Sequence, residues 1–131
     1  MTNTNTTQKQ STISLTSIRL ALHLEGLAAL VTSVVLYAEF GQSWLLFILL
    51  LFTPDLAFIP YMLNVELGRK IYNLVHWYVL PLLLGTAAVL TDWSLGIALA
   101  LIWSAHISLD RTIGYGLKYP GDFKDTHLQR V

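Results

Sequence analysis

Six His, Asp and Glu side chains lie inside stretches that are otherwise mostly apolar: His23, Glu25, Asp55, His76, His106 and Asp110. Such groups are costly in hydrocarbon, normally face the interior of a helix bundle, and mark a site by default. His106 and Asp110 are four residues apart and so share one helical face. His23 and Glu25 differ by about 200° around a helix and cannot both point inward. Glu25 is taken as the inward one, with His23 facing a neighbour or reaching the interface. The chain has no cysteine, which excludes thiolate ligands, a Cys nucleophile and disulfides, so any metal must use nitrogen and oxygen. Two neutral imidazoles and two or three carboxylates in a dry environment suit a divalent ion such as Zn, Mn or Fe. The expected ligands are Asp55, His76, His106 and Asp110, with Glu25 as fifth ligand or general base.

These groups need a scaffold, and the composition says which kind. Of 131 residues, 54% are hydrophobic and only 12% charged, a charge deficit that points to lipid rather than water. Four apolar stretches, 18–37, 44–63, 71–90 and 94–113, each approach the roughly 20 residues a helix needs to cross a bilayer. The expected fold is therefore all-α, a polytopic membrane protein with an antiparallel bundle of four transmembrane helices. A soluble four-helix bundle would show a polar stripe on each helix, and the run Leu45 to Phe52 has none. Residues 1–17, rich in Thr, Asn and Ser, are expected to be a disordered polar lead-in. Residues 114–131 are expected to fold back on the membrane face as a cytoplasmic tail; the alternative is an interfacial anchor made of the Tyr115, Tyr119 and Phe123 rings.

All eight basic residues fall on one side of this topology: Lys9 and Arg19, then Arg69 and Lys70, then Arg111, Lys118, Lys124 and Arg130. The positive-inside rule then places both termini in the cytoplasm, with the chain in the inner (plasma) membrane. Counted from the cytoplasmic helix ends, Glu25, Asp55, His76 and His106 all lie roughly 8 to 12 Å deep, with Asp110 one turn shallower. Pro54 should leave a backbone carbonyl unpaired beside Asp55, Pro60 should end the second helix, and Pro81 should kink the third. Ser43 and Thr91 or Ser94 are the expected N-caps. Eight basic and eight acidic residues leave no net charge, and no basic-aromatic stripe or phosphate loop argues for nucleic acid.

Other uses of the same residues stand beside the metal reading. Intramembrane His and Asp commonly serve only as hydrogen-bonded contacts between helices. Asp110 and Arg111 could form a charge pair at the headgroup level. Two His could hold haem, although three nearby carboxylates argue against it. Asp, Glu and His can also line a proton path, for which four short helices are a thin frame unless the chain forms a homo-oligomer. Trp103, three residues before His106, reads most simply as packing, and His127 could reach the site from the tail.

Several motifs then acquire a family likeness: Pro54-Asp55, Tyr72-Asn73-x-x-His76, His106-Ile-x-x-Asp110-Arg111-x-x-Gly114-Tyr-Gly-Leu-Lys-Tyr119, and Phe123-x-Asp-Thr-His-Leu128. From about Arg19 to its end the chain resembles the small bacterial integral-membrane family called domain of unknown function 4260. That resemblance implies the fold and topology and no activity. A looser similarity is to membrane-bound metal-dependent hydrolases, in which Asp55, His76, His106 and Asp110 would be the ligands; the class's His-x-x-His-Ser motif is missing. Its implication is metal-assisted hydrolysis of a lipid or other membrane-soluble ester, with Arg111, Lys118, Tyr72 and Asn73 contacting the substrate. The alternatives are a carrier of protons, metal or a small ligand, and a structural membrane subunit.

Overall fold

The computed structural model describes residues 4–40, 42–119 and 126–130, with side chains from residue 14 onward. Its elements are α1 (Thr4–Phe40), α2 (Trp44–Leu51), a 3₁₀ helix (Thr53–Met62), α3 (Val65–Val75), α4 (Val79–Leu90) and α5 (Ser94–Ile113). Among the described residues there is no strand, only an isolated antiparallel bridge between Lys118 and Thr126. α1 begins at Thr4, so the polar stretch expected to be disordered is helical from that residue on.

Among the described residues, two helical segments are long and apolar enough to cross a membrane, Ser14–Phe40 and Trp44–Met62. A third qualifies if α3 and α4, bent by 40° at their junction, count as one span. Of the four spans expected, these two or three meet the length and composition that a crossing needs. α5 has the length, at 20 residues, but His106, Asp110 and Arg111 dilute its apolar character. Packing explains how it can be so polar. α5 lies against α1, α4 and α2 and contributes the buried residues Gly96, Ala98, Ala100, Ile102, Ala105, His106, Ile107 and Ser108. A helix wrapped by its neighbours needs less lipid-facing apolar surface. That surface is carried by the outer helices, where Leu45, Ile48, Leu49, Leu82 and Leu83 all stand exposed.

The breaks follow from local chemistry. Ser43 caps α2, its side chain accepting from Leu46 N–H at 3.1 Å. Pro54 cannot donate to Leu50, and α2 gives way to the 3₁₀ form at this point, Asp55 N–H bonding Phe52 C=O at 3.1 Å. Pro60 lies inside that 3₁₀ helix, which ends at Met62. Asn64 then caps α3, accepting from Leu67 N–H at 3.0 Å. α3 therefore starts at Val65, well before the expected 71. Pro81, in the first turn of α4, lacks the donor that would have bonded Trp77, and the α3–α4 bend falls there. α5 is preceded by Trp93, which provides no side-chain cap, and neither Thr91 nor Ser94 holds the N-cap position. It ends at Gly114, whose φ of 102° is a left-handed conformation that other residues adopt at a cost.

The core at one end of the bundle is Tyr37, Phe47, Ala98, Ile102 and Ala105. Tyr37 packs edge-on against Phe47 at 4.8 Å and its hydroxyl donates to Ser43 C=O at 2.8 Å, which fixes the α1–α2 turn. At the other end Gly26 lets α1 touch α5; a Cβ there would come within 2.7 Å of Arg111 Cβ and 2.8 Å of Thr112 N. The tail returns to this end. His127 N–H donates to Leu117 C=O at 3.0 Å, Leu128 is buried, and Arg19 donates to Gln129 C=O at 3.3 Å. Phe123 lies outside the described residues, and Tyr115 and Tyr119 are exposed.

Candidate metal centre

The four groups predicted as ligands meet from three elements. α5 supplies His106 and Asp110 from one face. His76 is the C-cap of α3, held where the helix gives out: its backbone N–H bonds Tyr72 C=O at 2.9 Å. Its ring Nδ1 lies 3.0 Å from the same carbonyl. A carbonyl only accepts, so Nδ1 carries the proton and neutral His76 presents a bare Nε2. Tyr72 also stacks on the ring, 3.8 Å between centroids at 15°, and this fixes its plane. Asp55 comes from the first turn of the 3₁₀ helix.

His76 Nε2 lies 3.1 Å from His106 Nε2 and 3.4 Å from Asp110 Oδ2, and the third edge, His106 Nε2 to Asp110 Oδ2, is 3.6 Å. Asp55 Oδ1 stands 3.5 Å from His106 Nε2, and one ligand atom from each of the four residues falls within 4.8 Å of all the others. An ion with ligand bonds of about 2.1 Å in tetrahedral geometry has ligand atoms roughly 3.4 Å apart. The His76, His106 and Asp110 triangle has the size of one face of that tetrahedron. His76 and His106 are 3% and 1% exposed at the side chain, Asp110 16% and Asp55 39%. The first three are therefore set in the interior, and Asp55 closes the site from an accessible side.

Proton bookkeeping also favours a cation. His106 Nδ1 is buried without a hydrogen-bond partner among the described residues. If its proton sits there, two bare nitrogens face each other at 3.1 Å. If the proton sits on Nε2, the His–His contact is satisfied and a buried lone pair is stranded. The second arrangement is an acceptable hydrogen bond between two residues, yet it leaves both carboxylates converging on the same point. A divalent ion accounts for the convergence of all four groups at once.

Glu25 is not with them. It is exposed on α1 and lines a separate cleft of about 350 Å³ with Gly26, Tyr78, Arg111, His127 and Leu128. Its turn of helix instead aims His23 at α5, with Nδ1 2.7 Å from Thr112 C=O. The expected five-membered convergence is a set of four.

The residues expected to contact substrate surround the centre in other capacities. Tyr72 packs on His76. Asn73 grips the Lys118 backbone, its Nδ2 donating to Lys118 C=O at 2.8 Å and its Oδ1 accepting Lys118 N–H at 2.6 Å. Lys118 is buried with its ammonium 4.7 Å from the Tyr72 ring and 5.5 Å from that of Phe58. Arg111 donates to His76 C=O at 3.4 Å, and its other arm lies against the His127 ring, 3.0 Å from Nε2 and 3.1 Å from Nδ1. His127, which also accepts from Leu117 N–H at 2.9 Å, is thereby turned away from the four ligands. Burial and the adjacent Arg111 guanidinium hold its pKa below the usual histidine range.

Trp103 does more than pack. Its indole N–H donates to Val75 C=O at 2.7 Å, satisfying a carbonyl at the break beside His76. Its position three residues before His106 was the available signal. Tyr78 and Ser108 share a further bond at 2.9 Å across α4 and α5.

These features describe a helical chain with two or three apolar spans, built around a cluster of two buried histidines and two partly buried aspartates. The chain matches the model of the family described as Domain of unknown function (DUF4260) over residues 19–131, and it belongs to that family. No curated protein and no solved structure shows significant similarity to it.

Proposed function

We propose that this protein is a divalent-metal site embedded in a membrane, with α1, α2 plus the 3₁₀ helix, α3–α4, and α5 as four crossings and both termini in the cytoplasm. The chemistry we assign to it is hydrolysis of a lipid or other membrane-soluble ester. The carrying observation is the meeting of four ligand-type atoms from three elements, with neighbouring pairs at 3.1 to 3.6 Å, in a chain without cysteine. His76, His106 and Asp110 would hold the ion, and Asp55 is the exchangeable group. Zn, Mn or Fe all suit the donor set. When bound, such an ion supplies a Lewis acid and a water with a pKa near 7.

With Glu25 set apart from the centre, the general-base role passes to Asp55. Its carboxylate borders the ligands and remains partly accessible, as a proton acceptor must. In ester cleavage the water oxygen adds to the acyl carbon. Asp55 removes its proton and returns it to the departing alkoxide. Lys118, buried beside Tyr72, contributes positive charge to an anionic headgroup or leaving group.

The test is metal analysis of detergent-purified protein. About one Zn, Mn or Fe per chain is expected, lost in His106→Ala while circular dichroism stays helical, since removing a ligand opens the site without removing the apolar packing. Protein purified without chelator that carries no such metal, and whose His106→Ala variant loses only stability, would overturn the reading in favour of interhelical hydrogen bonds.

A further inference from the structure

Glu25, Tyr78, Arg111 and His127, none of them a ligand of the metal centre, line one cleft of about 350 Å³ with Gly26 and Leu128. That volume suits a small ligand or a headgroup. The His127 ring sets the chemistry at one end. Its Nδ1 lies 2.9 Å from Leu117 N, which only donates, so Nδ1 is bare and its lone pair is taken. Burial and Arg111 keep the ring neutral at pH 7, and its proton is therefore on Nε2. Arg111 Nη1 stands 3.0 Å from that Nε2. Both atoms donate and neither accepts, so the pair calls for a shared oxygen that no described residue supplies. A Cβ at Gly116 would collide with the His127 ring and come to 3.0 Å from Arg111 Nη1, so a glycine lets the two donors stand together. The cleft also holds a carboxylate. Glu25 is exposed within one turn of exposed Leu24 and Leu27, and it makes no ion pair among the described residues. In a lipid setting an unpaired carboxylate is costly. Ser108 O–H donates to Ser104 C=O at 2.6 Å, so Tyr78 donates to Ser108 Oγ at 2.9 Å and keeps its own lone pairs for a donor.

We infer that this cleft binds the headgroup of an aminophospholipid, its phosphate oxygens on Arg111 and His127 and its primary ammonium on Glu25. The inference goes beyond the metal reading and rests only on the membrane placement proposed above. A zwitterion answers both sets of groups. A plain anion leaves Glu25 unpaired, and a plain cation leaves the Arg111 and His127 donors facing each other. The exposed leucines next to Glu25 favour a zwitterion attached to hydrocarbon over a free one.

The experiment places the full chain in nanodiscs of phosphatidylcholine, phosphatidylethanolamine and phosphatidylglycerol in equal parts, releases it into detergent, and counts the retained lipids by native mass spectrometry. Phosphatidylethanolamine should be retained several-fold over both others, since phosphatidylglycerol has no ammonium and choline has no N–H for Glu25. Glu25→Gln, at an exposed position, should bring that lipid down toward the level of phosphatidylglycerol. Glu39→Gln, exposed near the far end of α1, should leave the preference intact. Arg111→Gln should lower retention of all three lipids several-fold, or, if that variant does not fold, His127→Leu should. Equal retention of the three lipids by the wild type, or a preference that survives Glu25→Gln, overturns the inference. Displacement by free phosphoethanolamine as readily as by lysophosphatidylethanolamine would assign the cleft to a soluble zwitterion and also overturn it. A chain that alkaline carbonate strips from membranes would bring down the membrane placement and the lipid ligand together, whereas a chain that stays in the membrane and shows no preference brings down the inference alone.

Discussion

Replacing Asn73 with Ala separates a scaffolding role from the substrate contact its motif suggested. Asn73 imitates a strand neighbour for Lys118, offering one acceptor at 2.6 Å and one donor at 2.8 Å to the same residue's backbone. Lys118 is only 5% exposed, so removing the amide leaves its N–H and C=O in poor contact with water. An unsatisfied buried polar group costs about 1–3 kcal/mol, and partial rescue by water puts the pair at roughly 2–4 kcal/mol of local docking free energy. At about 1.4 kcal/mol per factor of ten, the Lys118 amide should exchange about 30-fold to several hundred-fold faster. Hydrogen exchange of detergent-solubilised protein, resolved to that amide, is the assay. Asn73→Asp keeps the acceptor and loses the donor, and should fall between wild type and Asn73→Ala. Metal content should persist in both, because Asn73 touches none of the four ligands. An unchanged Lys118 exchange rate in Asn73→Ala would refute the clamp and return Asn73 to the substrate.

Two further outcomes are expected. His127 has its folded-state pKa lowered by burial and Arg111, so the unfolded state binds the proton more readily. Its contribution is present above the ordinary value of about 6.5 and is lost as pH falls below it; thermal unfolding at pH 7.5 and 5.5 should show a larger acid loss in wild type than in His127→Gln, and equal losses would refute this. For topology, a cysteine at exposed Gln42 should react with an impermeant thiol reagent from outside intact cells and one at exposed Gln129 should not, the reverse pattern overturning the orientation.

The centre was legible because depth and helical phase are both countable. His106 and Asp110 are on one face by spacing alone, and counting from the helix ends brings Asp55 and His76 to their level. Glu25 failed for a related reason: phase arithmetic separates it from His23 but cannot say which of the two faces α5. What decides between them is a contact invisible in sequence, the Gly26 crossing that sets α1 against Arg111 and Thr112. Pro54 and Pro81 announced their breaks. The conversion of Thr53–Met62 to 3₁₀ geometry carried no periodic signal, since the segment is apolar nearly all round. The early start of α3 was hidden because Glu66, Arg69 and Lys70 read as a loop when they are the polar face of a capped helix. α5 shows the limit of composition: burial by neighbours, which no window along a sequence measures, sets how polar a central helix can be.

The 3₁₀ helix also changes how far the chain can reach. Wound as α-helix throughout, the 19 residues of Trp44–Met62 would extend about 28 Å. With ten of them at roughly 2.0 Å per residue and the other nine at 1.5 Å, the same segment extends about 33 Å. That difference is the gap between falling short of a hydrocarbon slab of about 30 Å and matching it. In the crossing proposed above, the stretched helix would relieve hydrophobic mismatch without added residues, and because Pro54 and Pro60 oppose α winding it would hold Asp55 in register with His106 at that fixed length.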